Sequence, residues 1–406
     1  MKGVSFMLRN KETGLSLLRS LPFLLTLGLF LSLMLTTIGL EARAEGSQSD
    51  TEEESLPEYS ITLSDSQSSS SCCSVAFSGN TVTITEAGSY TLFGSLSDGQ
   101  ICVDTDKESR IRLNLAGICI TSSDSAAIYV RSADKVVIIL EDGTDNTLIS
   151  SGSFMQTDEN NVDAAVFSKD DLTIKGNGTL TVTASDGHGI VSKDDLKVKA
   201  GTISVTASRK ALSANDSITI DDGNLTLNAG TEGMEANNVV INGGAISIQA
   251  GDDGINATFL SDVSRPAIEM NGGSLTIVMG AGDTDGIDSN GDLVMTGGTI
   301  DITASSAFDI DGSIGFTGGT VFINGQQVDS IPNQMMGMGG FGGMGRGGRQ
   351  NMDGFSEEAF SGENGFFPGR AADGNFNGQQ FDRPEGFGGM NGGHRRPDDF
   401  GSSGNG

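Results

Sequence analysis

Val239-Val240-Ile241-Asn242-Gly243-Gly244-Ala245-Ile246-Ser247-Ile248-Gln249-Ala250-Gly251-Asp252-Asp253-Gly254-Ile255-Asn256-Ala257 contains three short apolar-x-apolar beats, beginning at Val239, Ile246 and Ile255. Alternation with period two is the pattern of a strand with one buried face. The same three beats return along the chain every 21 to 25 residues, with one longer spacing. Second beats begin at Leu172, Leu196, Ile218, Val239, Ile268, Leu293 and Ile314. Third beats begin at Leu180, Ile203, Leu225, Ile246, Leu275, Ile300 and Val321. The step from second to third is eight residues once and seven thereafter. So constant a register predicts a solenoid of stacked coils with three strands each, sharing one apolar interior. No segment carries a helical period. The expected class is all-β: a right-handed parallel β-helix with an irregular N-terminal cap before residue 160.

The first beat carries the chemistry. Its inward residues align as Val166, Ile190, Leu212, Met234, Ile255, Ile287 and Phe308. Two positions earlier lie Ala164, His188, Lys210, Glu232, Asp253, Asp285 and Ser306. One position later lie Phe167, Val191, Ser213, Glu235, Asn256, Asp288 and Asp309. Stacking therefore predicts one file holding Glu232, Asp253 and Asp285. A second file beside it holds Glu235, Asn256, Asp288 and Asp309, and Asp252 and Asp283 sit at the preceding turns. Like charges on neighbouring rungs about 4.8 Å apart repel and raise one another's pKa values. A divalent cation between rungs removes both costs. The donors are all oxygens, which suits calcium; zinc prefers His or Cys, and His188 and His394 are the two histidines present. The alternative is a hydrated acidic face. The spacing matches neither an EF-hand loop nor the nonapeptide calcium repeat. Lys210 interrupts the first file between His188 and Glu232.

Composition bounds the rest. The net charge is −29, from 53 acidic and 24 basic residues, which argues against nucleic acid, whose binders need basic patches, and against unaided binding to an acidic polymer. Residues 1–44 read as a signal peptide: Lys2, Arg9, Lys11 and Arg19, an apolar run from Leu21 to Leu40, then Ala42-Arg43-Ala44 before Glu45. An uncleaved anchor is the alternative for a run of this length. After cleavage no membrane span is expected, and the protein is secreted or held at the cell surface. Residues 45–73 read as a polar disordered leader, 74–330 as the β-helix and 331–406 as a Gly-rich disordered tail. The loop from Thr258 to Pro266 is inserted at a coil corner. Of the four cysteines, Cys72, Cys73, Cys102 and Cys119, Cys102 or Cys119 is expected to act as a small buried apolar residue.

Several segments together resemble a known family: Ala127-Ile128-Tyr129-Val130, Ala133-Asp134-Lys135-Val136, Ser168-Lys169-Asp170-Asp171-Leu172, Ser192-Lys193-Asp194-Asp195-Leu196, Asp253-Gly254-Ile255-Asn256-Ala257 and Asp285-Gly286-Ile287-Asp288-Ser289-Asn290-Gly291-Asp292. Over roughly residues 75–325 the chain is similar to the exported carbohydrate-binding β-helix family of cellulolytic clostridia. The resemblance implies a pectate-lyase-like fold, bound calcium, and binding of cellulose or polygalacturonate. It implies that Asp252, Asp253, Asp283, Asp285, Asp288 and Asp309 are calcium-ligand candidates. The Ser-Arg-Lys-Ala-Leu stretch at 208–212 departs from the family's Asp-Asp-Gly-Ile form, so Lys210 replaces one calcium position with an ammonium.

Three functions follow as expectations. The first is a non-catalytic module that binds acidic or plant cell-wall polysaccharide through calcium. The chain has no Trp and three Tyr, which disfavours an aromatic stacking platform. The second is a calcium-dependent polysaccharide lyase of pectate type with Lys210 as base, which needs a depressed lysine pKa. Arg209 is too basic for that role. The third is a surface adhesin using the outward column Thr181, Ser204, Thr226, Ser247, Thr276 and Asp301.

Overall fold

The computed structural model describes residues 55–261, 264–280 and 284–333. Among these residues every regular element is a strand. No helix among them is long and apolar enough to cross a membrane. The expected signal peptide (1–44) and nearly all of the Gly-rich tail (from residue 334) lie outside the described residues.

The strands pair in parallel, each with the equivalent strand one repeat away. The register is the one the beats predict. Second-beat strands align Leu172 with Leu196, then Ile218, Val239, Ile268, Leu293 and Ile314. Third-beat strands align Leu180 with Ile203, Leu225, Ile246, Leu275, Ile300 and Val321. First-beat strands align Val166 with Ile190, Leu212, Met234, Ile255, Ile287 and Phe308. The seven first-beat strands, with four strands nearer the N-terminus, form an 11-stranded sheet, and the other two sets join a 21-stranded sheet.

The physical reason for this register is burial. Residues on these apolar files are almost all inaccessible to water and belong to one continuous core. A slip of one residue would turn every buried Ile, Leu or Val outward, at about 1.5–3 kcal/mol for each side chain. The corners also follow the sequence. In the pairs ending at Gly244, Gly273, Gly298 and Gly319 the second glycine adopts φ of 84°, 77°, 80° and 95°, which an L side chain rarely tolerates.

Stacking reaches further toward the N-terminus than composition implied. Strand Glu58–Leu63 falls inside the expected disordered leader (45–73), yet it pairs in parallel with Gly88–Leu96 and buries Ile61 and Leu63. The Ser, Glu and Thr content of 45–71 hid a strand whose alternating apolar residues are few but deeply placed. Antiparallel pairings lie at both extremes: Val75–Ser78 with Thr81–Ile84, and Thr320–Ile323 with Gln326–Val328. They occupy strand edges that would otherwise be open to pairing. All four cysteines are free; Cys102 is buried as expected, whereas Cys119 is exposed.

Candidate acidic binding site

The site lies on the outer side of the first-beat sheet. A file of small residues brings its strands close to the core. A Cβ on Gly254 would sit 2.4 Å from the Gly286 carbonyl oxygen and 2.6 Å from Ile277 Cγ2; a Cβ on Gly286 would sit 2.6 Å from Ile302 Cγ2. The glycine of the Asp-Gly-Ile segments is therefore required by space, and it holds the flanking acids at a fixed height on each coil.

The register places the acids as their spacing predicts. Asp253 lies beside Asp285, and Asp285 beside Ser306. In the second file Glu235 lies beside Asn256, Asn256 beside Asp288, and Asp288 beside Asp309. Backbone hydrogen bonds carry the first file back: Gly189 N–H donates to the Lys210 carbonyl, Ala211 N–H to Glu232, and Gly233 N–H to Asp253. Asp252 is exposed at the turn, and Asp283 lies outside the described residues.

These carboxylates are crowded and partly dry. Glu235 is 5% exposed and Asp253 8%. Burial, then the charges of Asp288 and Asp252, push the Asp253 pKa up to about 7. Burial, then Asp309 and Asp285, push Asp288 up to about 6. Asp309 is raised by burial and by Asp285 and Asp311. Some hydrogen bonds relieve the group: the Asn256 amide donates to Asp253 Oδ2 at 3.1 Å, Asp285 N–H to Asp253 Oδ1 at 3.4 Å, and the Ser306 hydroxyl to Asp285. Three buried oxygens in the files have no hydrogen-bond partner: Glu232 Oε2, Asn256 Oδ1 and Asp309 Oδ1. Leaving such acceptors bare costs about 1–3 kcal/mol each. The oxygen donors suit a hard divalent cation held between adjacent rungs, by Asp253 with Asp285 or by Asp288 with Asn256 or Asp309; among the described residues no three carboxylates of these files bring oxygens within 4.8 Å of one another.

Lys210 occupies the interrupted position differently from a base. Its ammonium pairs with the Glu235 carboxylate, so it acts as a tethered counter-ion. Glu235 is nonetheless raised, because burial, with the charge of Glu232 added, outweighs that partner. His188 accepts the Lys210 N–H at Nδ1, 3.2 Å away, while its Nε2 faces Asp163 at 3.7 Å. Burial depresses the imidazole to about 4, which fits a neutral structural histidine. Arg209 is exposed.

A second acidic group was missed by sequence reasoning. Among the described residues, Asp171, Asp194 and Asp195 are the three carboxylates whose oxygens all lie within 4.8 Å of one another. They sit at the corner between first and second beats. The repeated Ser-Lys-Asp-Asp at 168–171 and 192–195 was the available signal. Asp194 is raised to about 6 by burial and by Asp171 and Asp216, while Asp194 and Asp195 remain open to water.

Fold and site together define an all-β protein of stacked parallel strands bearing an acidic, oxygen-only file. Residues 78–330, more than half of the chain, match the family described as carbohydrate-binding domain-containing protein, and the chain belongs to that family. It is 47% identical over 128 residues to a carbohydrate-binding domain-containing protein of Acetivibrio thermocellus, a match covering 31% of this chain and 45% of that relative. The chain thus spans under half the length of that protein. It is also similar, at 32% identity, to a solved structure titled a polysaccharide lyase-like protein from C. thermocellum, gadolinium derivative. That likeness covers 66% of this chain and 95% of the other, with a TM-score of 0.48.

Proposed function

We propose that the protein is an exported, non-catalytic carbohydrate-binding protein with a right-handed parallel β-helix fold, whose acidic files hold calcium and through it bind an acidic polysaccharide such as polygalacturonate. The observation that carries this reading is the set of bare buried oxygens, Glu232 Oε2, Asn256 Oδ1 and Asp309 Oδ1, in register with carboxylates whose pKa values are raised. Bound calcium supplies positive charge to which uronate oxygens can coordinate. The chain's residues do the rest: the small-residue file sets the height of the acids, and Lys210 neutralises Glu235.

The lyase alternative needs a base for the ring proton, and the Lys210 ammonium is already committed to Glu235. This favours binding over cleavage. Retention of the full chain on immobilised polygalacturonate is expected in calcium and lost in excess chelator. Undiminished retention in chelator refutes the reading, and growth of unsaturated-uronide absorbance refutes its non-catalytic part.

A further inference from the structure

The loop inserted at residues 258–266 lengthens one coil. The step from Ile255 to Ile268 is 13 residues, against 6 from Ile287 to Leu293 on the next coil. The loop leaves from the strand Asp253–Ala257, which contributes Asp253 and Asn256 to the two acidic files. It is tied down at both ends. The Thr258 N–H donates to the Ala236 carbonyl at 3.0 Å, and the Thr258 hydroxyl donates to Asn290 Oδ1 at 2.7 Å. At the far end the amide of Asn237, which is fully buried, donates to the Ser264 carbonyl at 3.1 Å and to its hydroxyl at 3.0 Å. The Asp292 N–H donates to the Pro266 carbonyl at 3.0 Å, and Arg265 pairs with Asp292 at 3.5 Å.

Just past the first tie the chain makes a tight turn. The Leu260 N–H donates to the Thr258 carbonyl at 2.9 Å, which closes a γ-turn with Phe259 at its apex. Phe259 is 63% exposed and Leu260 38%. A lone exposed apolar residue needs no explanation; the position of this pair gives it one. Thr258, Asn290 and Asp311 each stand three places after an inward first-beat residue and form a file bordering the second acidic file. The Asn290 amide donates to Asp311 Oδ2 at 3.3 Å, and the Asp311 charge reaches both Asp288 and Asp309. Phe259 follows Thr258 directly, three residues from Asn256, so at most about 11 Å of extended chain separates them.

The chemistry of this edge narrows the partner. Two apolar side chains bury too little surface to hold a partner alone. A partner that touches them is therefore held by the acidic files as well. It must offer a hard anion together with a flat apolar face. A uronic acid residue in its pyranose form offers both: a carboxylate, and a ring face of C–H groups that packs on the negative face of a phenyl ring. A single phenyl ring is no stacking platform for a whole polymer, in keeping with the absence of Trp and the three Tyr. We propose that Phe259, with Leu260 beside it, is a specificity-determining residue of the acidic site: it packs against the C–H face of a uronate ring whose carboxylate is bound at the adjoining rungs, so that the site selects a sugar polymer over other polycarboxylates. The proposal rests on the reading that the acidic files bind uronate through calcium.

The test is calorimetric titration of the full mature chain in calcium with hexagalacturonate and with hexaglutamate, a carboxylated chain without sugar rings. The parent is expected to bind hexagalacturonate the more tightly. Phe259→Ala should weaken hexagalacturonate binding by about two- to tenfold and leave calcium binding, titrated without either ligand, unchanged. Phe259→Tyr keeps the ring and should bind as the parent does. Thermal melts establish that both variants are folded. The proposal is overturned if folded Phe259→Ala binds hexagalacturonate as tightly as the parent, or if the parent binds hexaglutamate equally well. It is also overturned if Phe259→Ala weakens calcium binding by the same factor, because the loop then acts on the acids and not on the sugar. A parent that binds neither ligand in calcium brings down the calcium reading and this proposal together, whereas a parent that binds hexagalacturonate beside an unaffected Phe259→Ala brings down the role of Phe259 alone.

Discussion

Asp253→Asn is the substitution that separates charge repulsion from packing in the acidic files. The Asp253 carboxyl moves from an ordinary 3.8 to about 7 in the folded chain. That displacement corresponds to about 4 kcal/mol at a pH where both states are ionised. Water reaches the outer side of the file, and discounting for that screening leaves about 2 kcal/mol. Below pH 3.8 the group is protonated in both states and costs nothing. As pH rises from 3.8 toward 7 the unfolded chain ionises first, so the fold progressively loses stability, and above 7 the full penalty is present. Asparagine mimics the protonated form, and a flip of the Asn256 amide lets its bare Oδ1 accept a hydrogen bond from the new amide. In chelator at pH 8 the variant should therefore melt about 4–8 °C above the parent, given about 2–4 °C per kcal/mol for a domain of this size. The difference should vanish near pH 4. Added calcium should raise the parent's melting temperature more than the variant's. Calorimetric scans at both pH values, with EDTA and with calcium, give all four comparisons. A variant less stable than the parent at pH 8 in EDTA, or a difference of equal size at pH 4, would refute the reasoning.

Lys210→Met leaves Glu235, 5% exposed, without its counter-charge. It should cost about 3 kcal/mol at pH 8 by urea titration in EDTA, with part of that loss recovered in calcium if a cation takes the ammonium's place. Gly254→Ala drives a methyl into the Gly286 carbonyl and Ile277 and should destabilise by about 1–3 kcal/mol or more. A variant as stable as the parent would show that the small-residue file is not sterically required. Ile248→Ala empties a fully buried position between coils and should lower stability by about 2–5 kcal/mol in the same titration.

The register of the fold was legible residue by residue, because every coil must bury the same three beats against its neighbours. A constant spacing of buried side chains leaves one pairing that keeps them dry. The acid files were legible for the same reason: Asp253 and Asp285, or Asp288 and Asp309, become neighbours as soon as Ile255, Ile287 and Phe308 do. The strand Glu58–Leu63 was not, since two buried residues in a polar stretch give too weak a periodic signal. Nor did alternation show the burial of Cys102, whose neighbours Ile101 and Val103 are buried too, whereas Cys119 faces out between Ile118 and Ile120 as alternation requires. Alternation says which residues differ in facing but not how the long strand Arg110–Ser122 passes from pairing with Lys135–Leu140 to pairing with Asp145–Ser150.

Linear order alone thus determined the all-β class, the coil register and the columns of like residues. Tertiary structure decided what each column does. Side-chain direction and depth are set by packing between coils, and so it was packing that committed Lys210 to Glu235 rather than to catalysis. Packing also left Glu232, Asn256 and Asp309 with bare buried oxygens, and it closed Asp171, Asp194 and Asp195 around a common point at a corner that the repeated Ser-Lys-Asp-Asp marked without showing that its carboxylates converge.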